Sequence, residues 1–122
     1  MKKLLVINGS PNKEGHTKKI IDEVLNGLDK DKVKITEINC YSKKISPCID
    51  CKCCSSRKGK CSIKDDMEEI YYELKKSDFI ILGSPMYFGM FPAPLKALID
   101  RCQLLWSEKN IFNEISKKKR VY

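Results

Sequence analysis

Five of the seven cysteines of this 122-residue chain lie between Cys48 and Cys61, in the stretch SPCIDCKCCSSRKGKCSI at 46–63. Cys48, Cys51 and Cys54 recur at every third position and Cys61 follows behind Gly59, so one loop offers four thiolates. That number suits a four-iron cluster or a tetrahedral zinc ion. Two C-x2-C steps in immediate succession stand closer to compact iron-sulfur runs than to zinc ribbons, whose ligand pairs lie farther apart, and this favours iron-sulfur over zinc. Cys53 is then a spare thiol, and Cys40 and Cys102 are core positions. Reactive thiols without a metal remain the alternative reading of the same loop. From Lys43 to Lys64 seven basic residues face the single acid Asp50, and nearby cations stabilise thiolates or an anionic metal centre.

Two further loops carry chemistry. In INGSPNKEGHT, Gly9, Ser10, Asn12, Gly15 and Thr17 sit between an apolar run and a helical pattern. Backbone amides at a helix start, the positive end of its dipole and two hydroxyls make a phosphate seat. Neither GxGxxG nor a Gly-Lys-Ser/Thr is present, which suits a mononucleotide; a polar turn capped by Thr17 is the plainer reading. His16, the one histidine, reads as a loop residue near phosphate rather than a general base. In SPMYFGMFPAP, Met86, Tyr87, Phe88, Met90 and Phe91 surround Gly89 where a surface loop should be polar. Such a set calls for something to cover: a flat ring system approached closely at Gly89, or a second subunit.

The elements that must position these loops follow from periodicity. KLLVIN (3–8) and FIILGS (79–84) read as short buried parallel strands, and VKITEI (33–38) as a third. Apolar residues at Ile20, Ile21, Val24, Leu25 and Leu28 form one helical face starting after Thr17. Asp65 with Glu68 predicts a capping box ahead of Met67, Ile70, Tyr71 and Leu74, and PAPLKALIDRCQLLW predicts one helix with prolines at its start. Strands alternating with helices imply a doubly wound α/β sheet in three layers. If the third strand lies beside the first, the phosphate loop and the apolar loop meet at the switch point where such sheets bind ligands.

Composition bounds the rest. With 42% hydrophobic residues the chain supports one domain over 1–122, carrying a cysteine-rich loop at 40–64. An odd cysteine count excludes a fully paired disulfide framework, no apolar run reaches signal-peptide or membrane-span length, and a reducing, cytoplasmic setting is expected. The net charge of +8 is concentrated around the cysteines and in KKKR at 117–120. A zinc-stabilised nucleic-acid module would use that charge, but sparse aromatics, not interleaved with basic residues, make nucleic acid a poor fit.

Together, the quoted loops and SDFIILGSPMYFGMFPAPLKALIDR resemble the NADPH-dependent FMN reductase family of the flavodoxin-like fold, and within it the iron-sulfur flavoproteins. The resemblance implies that Ser10, Asn12 and Thr17, with Gly15 and His16 in the same loop, hold the FMN phosphate. It implies that Pro85, Met86, Tyr87, Phe88 and Gly89 border the ribityl chain and isoalloxazine, and that Cys48, Cys51, Cys54 and Cys61 ligate a 4Fe-4S cluster. An electron-transferring oxidoreductase is expected, with NAD(P)H as a donor, small-molecule or protein redox partners, no membrane association, and a homodimeric or tetrameric state. A cluster-free NAD(P)H-dependent reductase of flavins, quinones or nitro compounds is the competing enzyme. Many members of this family carry arginine where Asn12 stands, a phosphate cation this loop lacks. Chains of this family continue past Tyr122, so the expected sheet lacks its C-terminal strands, with ISKKKRVY leading into the fourth.

Overall fold

The computed structural model describes residues 1–57 and 59–108. Along the chain run β1 (Lys2–Asn8), α1 (His16–Asn26), β2 (Val33–Asn39), a 3-10 turn (Cys40–Ser42), α2 (Cys53–Ser56), α3 (Met67–Lys76), β3 (Phe79–Gly83), α4 (Ala93–Arg101) and α5 (Gln103–Ser107). The strands form one parallel sheet in the order β2-β1-β3.

The sheet is built around β1, whose Leu4, Leu5, Val6 and Ile7 are all buried. Because successive side chains leave opposite faces of a strand, Leu4 and Val6 pack with Ile21 and Leu25 of α1. Leu5 and Ile7 pack with Met67, Ile70 and Leu74 of α3, Leu95 and Leu98 of α4, and Leu104 and Leu105 of α5. Two cores on opposite faces give the three-layer, flavodoxin-like α/β arrangement, each fully buried Leu, Val or Ile contributing about 1.5 to 3 kcal/mol. Asn8 pairs in register with Asn39 and with Gly83. The three strands therefore end level, and the loops that follow them leave from one rim.

Local structure departs from the expected pattern at four places. Ile20 and Val24 of α1 are 66% and 48% exposed, because only the Ile21–Leu25 edge of the apolar face meets the sheet. β3 is not a fully buried strand: Phe79, Ile80 and Leu82 are exposed, since β3 is an edge of the sheet among the described residues. The helix expected through Trp106 divides at Cys102, whose amide is shared between the Leu98 and Ile99 carbonyls while its own carbonyl accepts from Leu105. Asp66, not Asp65, occupies the cap position of α3 and makes no side-chain cap bond. Prolines 92 and 94 do begin α4, where a missing N–H costs nothing. The expected lead-in to a fourth strand lies outside the described residues.

Candidate functional site

The first loop is wound by its own side chains. Asn8 Oδ1 accepts from the Ser10 amide at 2.9 Å, Ser10 Oγ from the Asn12 amide at 3.2 Å, and Asn12 Oδ1 from the Glu14 amide at 3.4 Å. Such local bonds hold a tight turn in polar residues. The loop is tied sideways by Asn39 Nδ2 donating to the Ser10 carbonyl at 3.1 Å and by the Gly9 amide donating to Gly83 O at 2.8 Å. Gly15 is the cap residue of α1 with no side-chain cap bond, so Gly15, His16 and Thr17 bring the positive helix terminus to the rim. His16 is exposed, Thr17 half-buried and Ser10 buried. Thr17 therefore lies inside the first turn rather than capping it.

Beside it, the loop after β3 is held against the first. A Cβ on Gly9 would stand 3.0 Å from Ser84 Cβ, and one on Gly83 would stand 3.5 Å from Thr17 Cγ2. The expected neighbourhood of the two loops is thus present. Tyr87 and Met90 exchange backbone hydrogen bonds of 2.8 and 3.0 Å around Phe88 and Gly89, which have φ of 49° and 73°. Both central residues are left-handed, as in the tightest hairpin turns. Met86, Tyr87, Phe88, Met90 and Phe91 are all exposed, Phe88 completely, and nothing lies within 4 Å of where a Gly89 Cβ would stand. Pro85 is half-buried at the base of this tip.

The cysteine loop leaves β2 and is fastened at both ends by one side chain. Arg101, 3% exposed on α4, donates to Asp65 at 2.7 and 3.1 Å, to the Ser46 carbonyl at 2.9 Å and to the Ile63 carbonyl at 3.5 Å. Asp65 in turn accepts from the Ser46 and Met67 amides at 2.8 and 3.0 Å, which is why it does not complete a capping box. Burial alone would raise the Asp65 carboxyl. The Arg101 hydrogen bonds and the two amides outweigh it and hold the carboxyl below its ordinary value. Tyr71 donates to the Arg101 carbonyl at 2.6 Å, and burial pushes its hydroxyl up to about 12.

Between these anchors Cys48, Cys51, Cys54 and Cys61 line one cavity, with Tyr71 and Arg101 in its wall. Cys51 is flanked by Asp50 and Lys52, both left-handed at φ 52° and 66°, strain of the kind that collects at functional sites. Its sulfur lies 3.0 Å from Ser62 Oγ. That hydrogen bond, with the Cys53 amide and thiol, lowers the Cys51 thiol to about 7, and the Cys53 thiol is raised through the same contact. Ser107 Oγ donates to Cys54 Sγ at 3.6 Å. Cys40 and Cys102, the expected core positions, are pushed up to about 11 by burial. All seven cysteines are free. Among the described residues no three His, Cys, Asp or Glu side chains converge on a single-ion site; a four-iron cluster spreads its thiolates, one to each iron.

Sequence reasoning missed Asn8, Asn39, Ser62 and Arg101. Three carried a signal: β1 and β2 both end in Ile-Asn, at Asn8 and Asn39, and Arg101 interrupts the apolar stripe Leu95, Leu98, Cys102, Leu105.

The profile of the NADPH-dependent FMN reductase family matches residues 2–116, and the chain belongs to that family. Over 103 residues it is 43% identical to an iron-sulfur flavoprotein of Methanocaldococcus jannaschii, covering 84% of this chain and 53% of the relative. It is 39% identical over 108 residues to one from Methanosarcina thermophila, with the same coverage. To one from Clostridioides difficile strain 630 it is 32% identical over 105 residues, covering 84% of this chain and 46% of the relative. The chain spans about half the length of these curated relatives. A crystal structure of a Streptococcus mutans UA159 protein superposes with a TM-score of 0.65 at 21% identity, covering 81% of this chain and 52% of that one, a likeness of fold. Among the described residues no helix is long and apolar enough to cross a membrane.

Proposed function

We propose that the chain is the flavin- and cluster-bearing part of an electron-transferring oxidoreductase. The observation that carries this reading is the single cavity lined by Cys48, Cys51, Cys54 and Cys61, in a loop that leaves the same rim as the phosphate and apolar loops. The donor set suits a 4Fe-4S cluster: four thiolates from one loop, one thiol already lowered to about 7, and the buried Arg101 among the residues of the cavity wall. Membership of an FMN reductase family and relatives named iron-sulfur flavoproteins support the same assignment.

Ser10 and Asn12 wind the loop, and the Gly15–Thr17 turn presents its amides and the Thr17 hydroxyl to the FMN phosphate. Pro85, Met86, Tyr87, Phe88 and Gly89 offer the isoalloxazine an apolar bed with open space over the glycine. When bound, the flavin supplies one- and two-electron chemistry and the cluster one-electron steps. The chain's own work is to bind, orient and shield them, and no general acid or base is assigned. NAD(P)H is the proposed donor to the flavin, with small-molecule or protein redox partners, a cytoplasmic setting, and a homo-oligomer whose subunit contact covers the exposed 86–91 tip.

Anaerobic reconstitution with ferrous iron, sulfide and FMN tests this. Bound FMN and about four irons per chain, with flavin and cluster bands in the visible spectrum, are expected; absence of both after reconstitution would refute it. A second reading, a cluster-free reductase, draws on the Cys51 and Cys54 sulfurs already having hydroxyl partners. It requires Cys48→Ser and Cys51→Ser to leave NAD(P)H-dependent turnover intact.

A further inference from the structure

We propose that Arg101 is the buried cation of the cysteine cavity, its guanidinium facing the bound cluster and its Nε–H donating to a cluster or cysteinyl sulfur. This rests on the cluster reading above. Nη1 and Nη2 are committed to Asp65 and to the Ser46 and Ile63 carbonyls, whereas the buried Nε has no hydrogen-bond partner among the described residues. Leaving a buried donor unmade costs about 1 to 3 kcal/mol, and in a native structure such a group calls for an acceptor that the chain itself does not supply. Arg101 lines the cavity of Cys48, Cys51, Cys54 and Cys61, but Asp65 does not. The acid therefore lies outside the cavity that Arg101 helps to line.

The other charges at the cavity do not compete. Lys52 is ion-paired with Asp50 at 3.0 Å with both side chains about 70% exposed, and Asp100 is paired with Lys96, so solvent screens both pairs. The Arg101–Asp65 pair has both side chains 1% exposed. Holding a guanidinium there for loop architecture alone is a poor use of it, because a buried ion pair is often no more stable than an apolar pair of similar volume. A cluster ligated by four thiolates is anionic and becomes more so on reduction. A desolvated cation and an N–H···S bond therefore favour the reduced form and raise its potential. Arginine, unlike lysine, can grip Asp65 bidentately and keep Nε free for the sulfur.

The test compares anaerobically reconstituted wild type, Arg101→Lys, Arg101→Gln and Asp65→Asn by iron and sulfide content, visible and electron-spin spectra, resonance Raman Fe–S frequencies and midpoint potential. Arg101→Gln is expected to shift the reduction equilibrium about tenfold toward the oxidised cluster, 59 mV for one electron. Arg101→Lys is expected to shift it less but to alter the Fe–S frequencies, because the Nε–H is lost. Asp65→Asn, which leaves the guanidinium uncompensated, should shift the potential upward. If Arg101→Gln fails to fold, Arg101→Lys and Asp65→Asn still decide the question. Loaded variants with wild-type potentials and Fe–S frequencies would overturn the proposal and leave the cluster reading standing. A wild type that takes up no iron would overturn both.

Discussion

A Cβ at Gly9 would stand 2.8 Å from Leu95 Cδ2 and 3.2 Å from Leu95 Cβ, as well as 3.0 Å from Ser84 Cβ. Leu95 is fully buried among Leu5, Leu98 and their neighbours, so its methyl has no empty space to enter. The Gly9 backbone is held in turn by its 2.8 Å bond to Gly83 O. Alanine here is an overpacking substitution, of a kind that costs about 1 to 3 kcal/mol. A loss of about 2 kcal/mol moves the urea midpoint down by roughly 1 to 2 M at an m-value of about 1 to 2 kcal/mol/M. The same methyl separates the phosphate loop from Ser84, so FMN affinity should fall as well. Leu95→Ala alone removes a core side chain at a cost of about 2 to 5 kcal/mol. In the double variant the vacated space receives the Gly9→Ala methyl, and the two losses should fall short of their sum by about 0.5 to 3 kcal/mol. Urea melts of the four proteins complete the cycle. Strictly additive losses, or a Gly9→Ala protein as stable as the wild type, would refute the close packing of Gly9 on Leu95 of α4 and with it the placement of the first loop at the rim.

Gly27 closes α1 in an ordinary helical conformation (φ −78°), and a Cβ there meets nothing nearer than Val24 O at 3.6 Å. Gly27→Ala should therefore stabilise the chain by about 0.4 to 1 kcal/mol, read as a raised urea midpoint. Thr17→Val should weaken FMN binding by about 1 to 2 kcal/mol, roughly 5- to 30-fold, with a smaller effect on folding; unchanged affinity in a fluorescence titration would remove Thr17 from the phosphate site. Because the Asp65 carboxyl is held below its ordinary value, its contribution is fully present above the unfolded pKa of about 4 and is lost as pH falls below that toward the folded value. Urea melts across acid pH should show this loss in the wild type and a flatter acid limb in Asp65→Asn; parallel limbs would contradict it.

The layers of this fold were legible because β1 is an unbroken apolar run and α3 keeps its apolar residues at strict helical spacing, so local pattern and tertiary burial agree. They disagree on α1, where the pattern marks an apolar face wider than the sheet it meets, and at Cys102, where no Gly or Pro announces the break. The cysteine spacing and the two rim loops could be read because each is contiguous in sequence. Asp65 could not. Its spacing to Glu68 satisfied a local rule, and its actual partner lies 36 positions away among residue types with no distinctive signature. Long-range pairing of ordinary charged residues is what single-sequence reasoning lacks a signal for, and here it governs the wall of the cysteine cavity.

Arg101's grip on the Ser46 and Ile63 carbonyls also changes the statistics of the segment between them. Its ends are fastened to one point on α4, so the cysteine segment behaves as a ring and not as an open strand. In the cross-link model, closing a loop of this order removes about 3 kcal/mol of chain entropy, and here that is done by the folded domain before any thiol finds a partner. Each of the four sulfurs is confined to a volume set by the ring's circumference, and its effective concentration toward the others rises accordingly. Capture of a guest ligated by several of these thiolates then becomes an ordering of the ring's interior, and its release leaves the ring closed. Hydrogen exchange would show this as protection gained and lost at 48–61 while β1, α3 and α4 stay as they were.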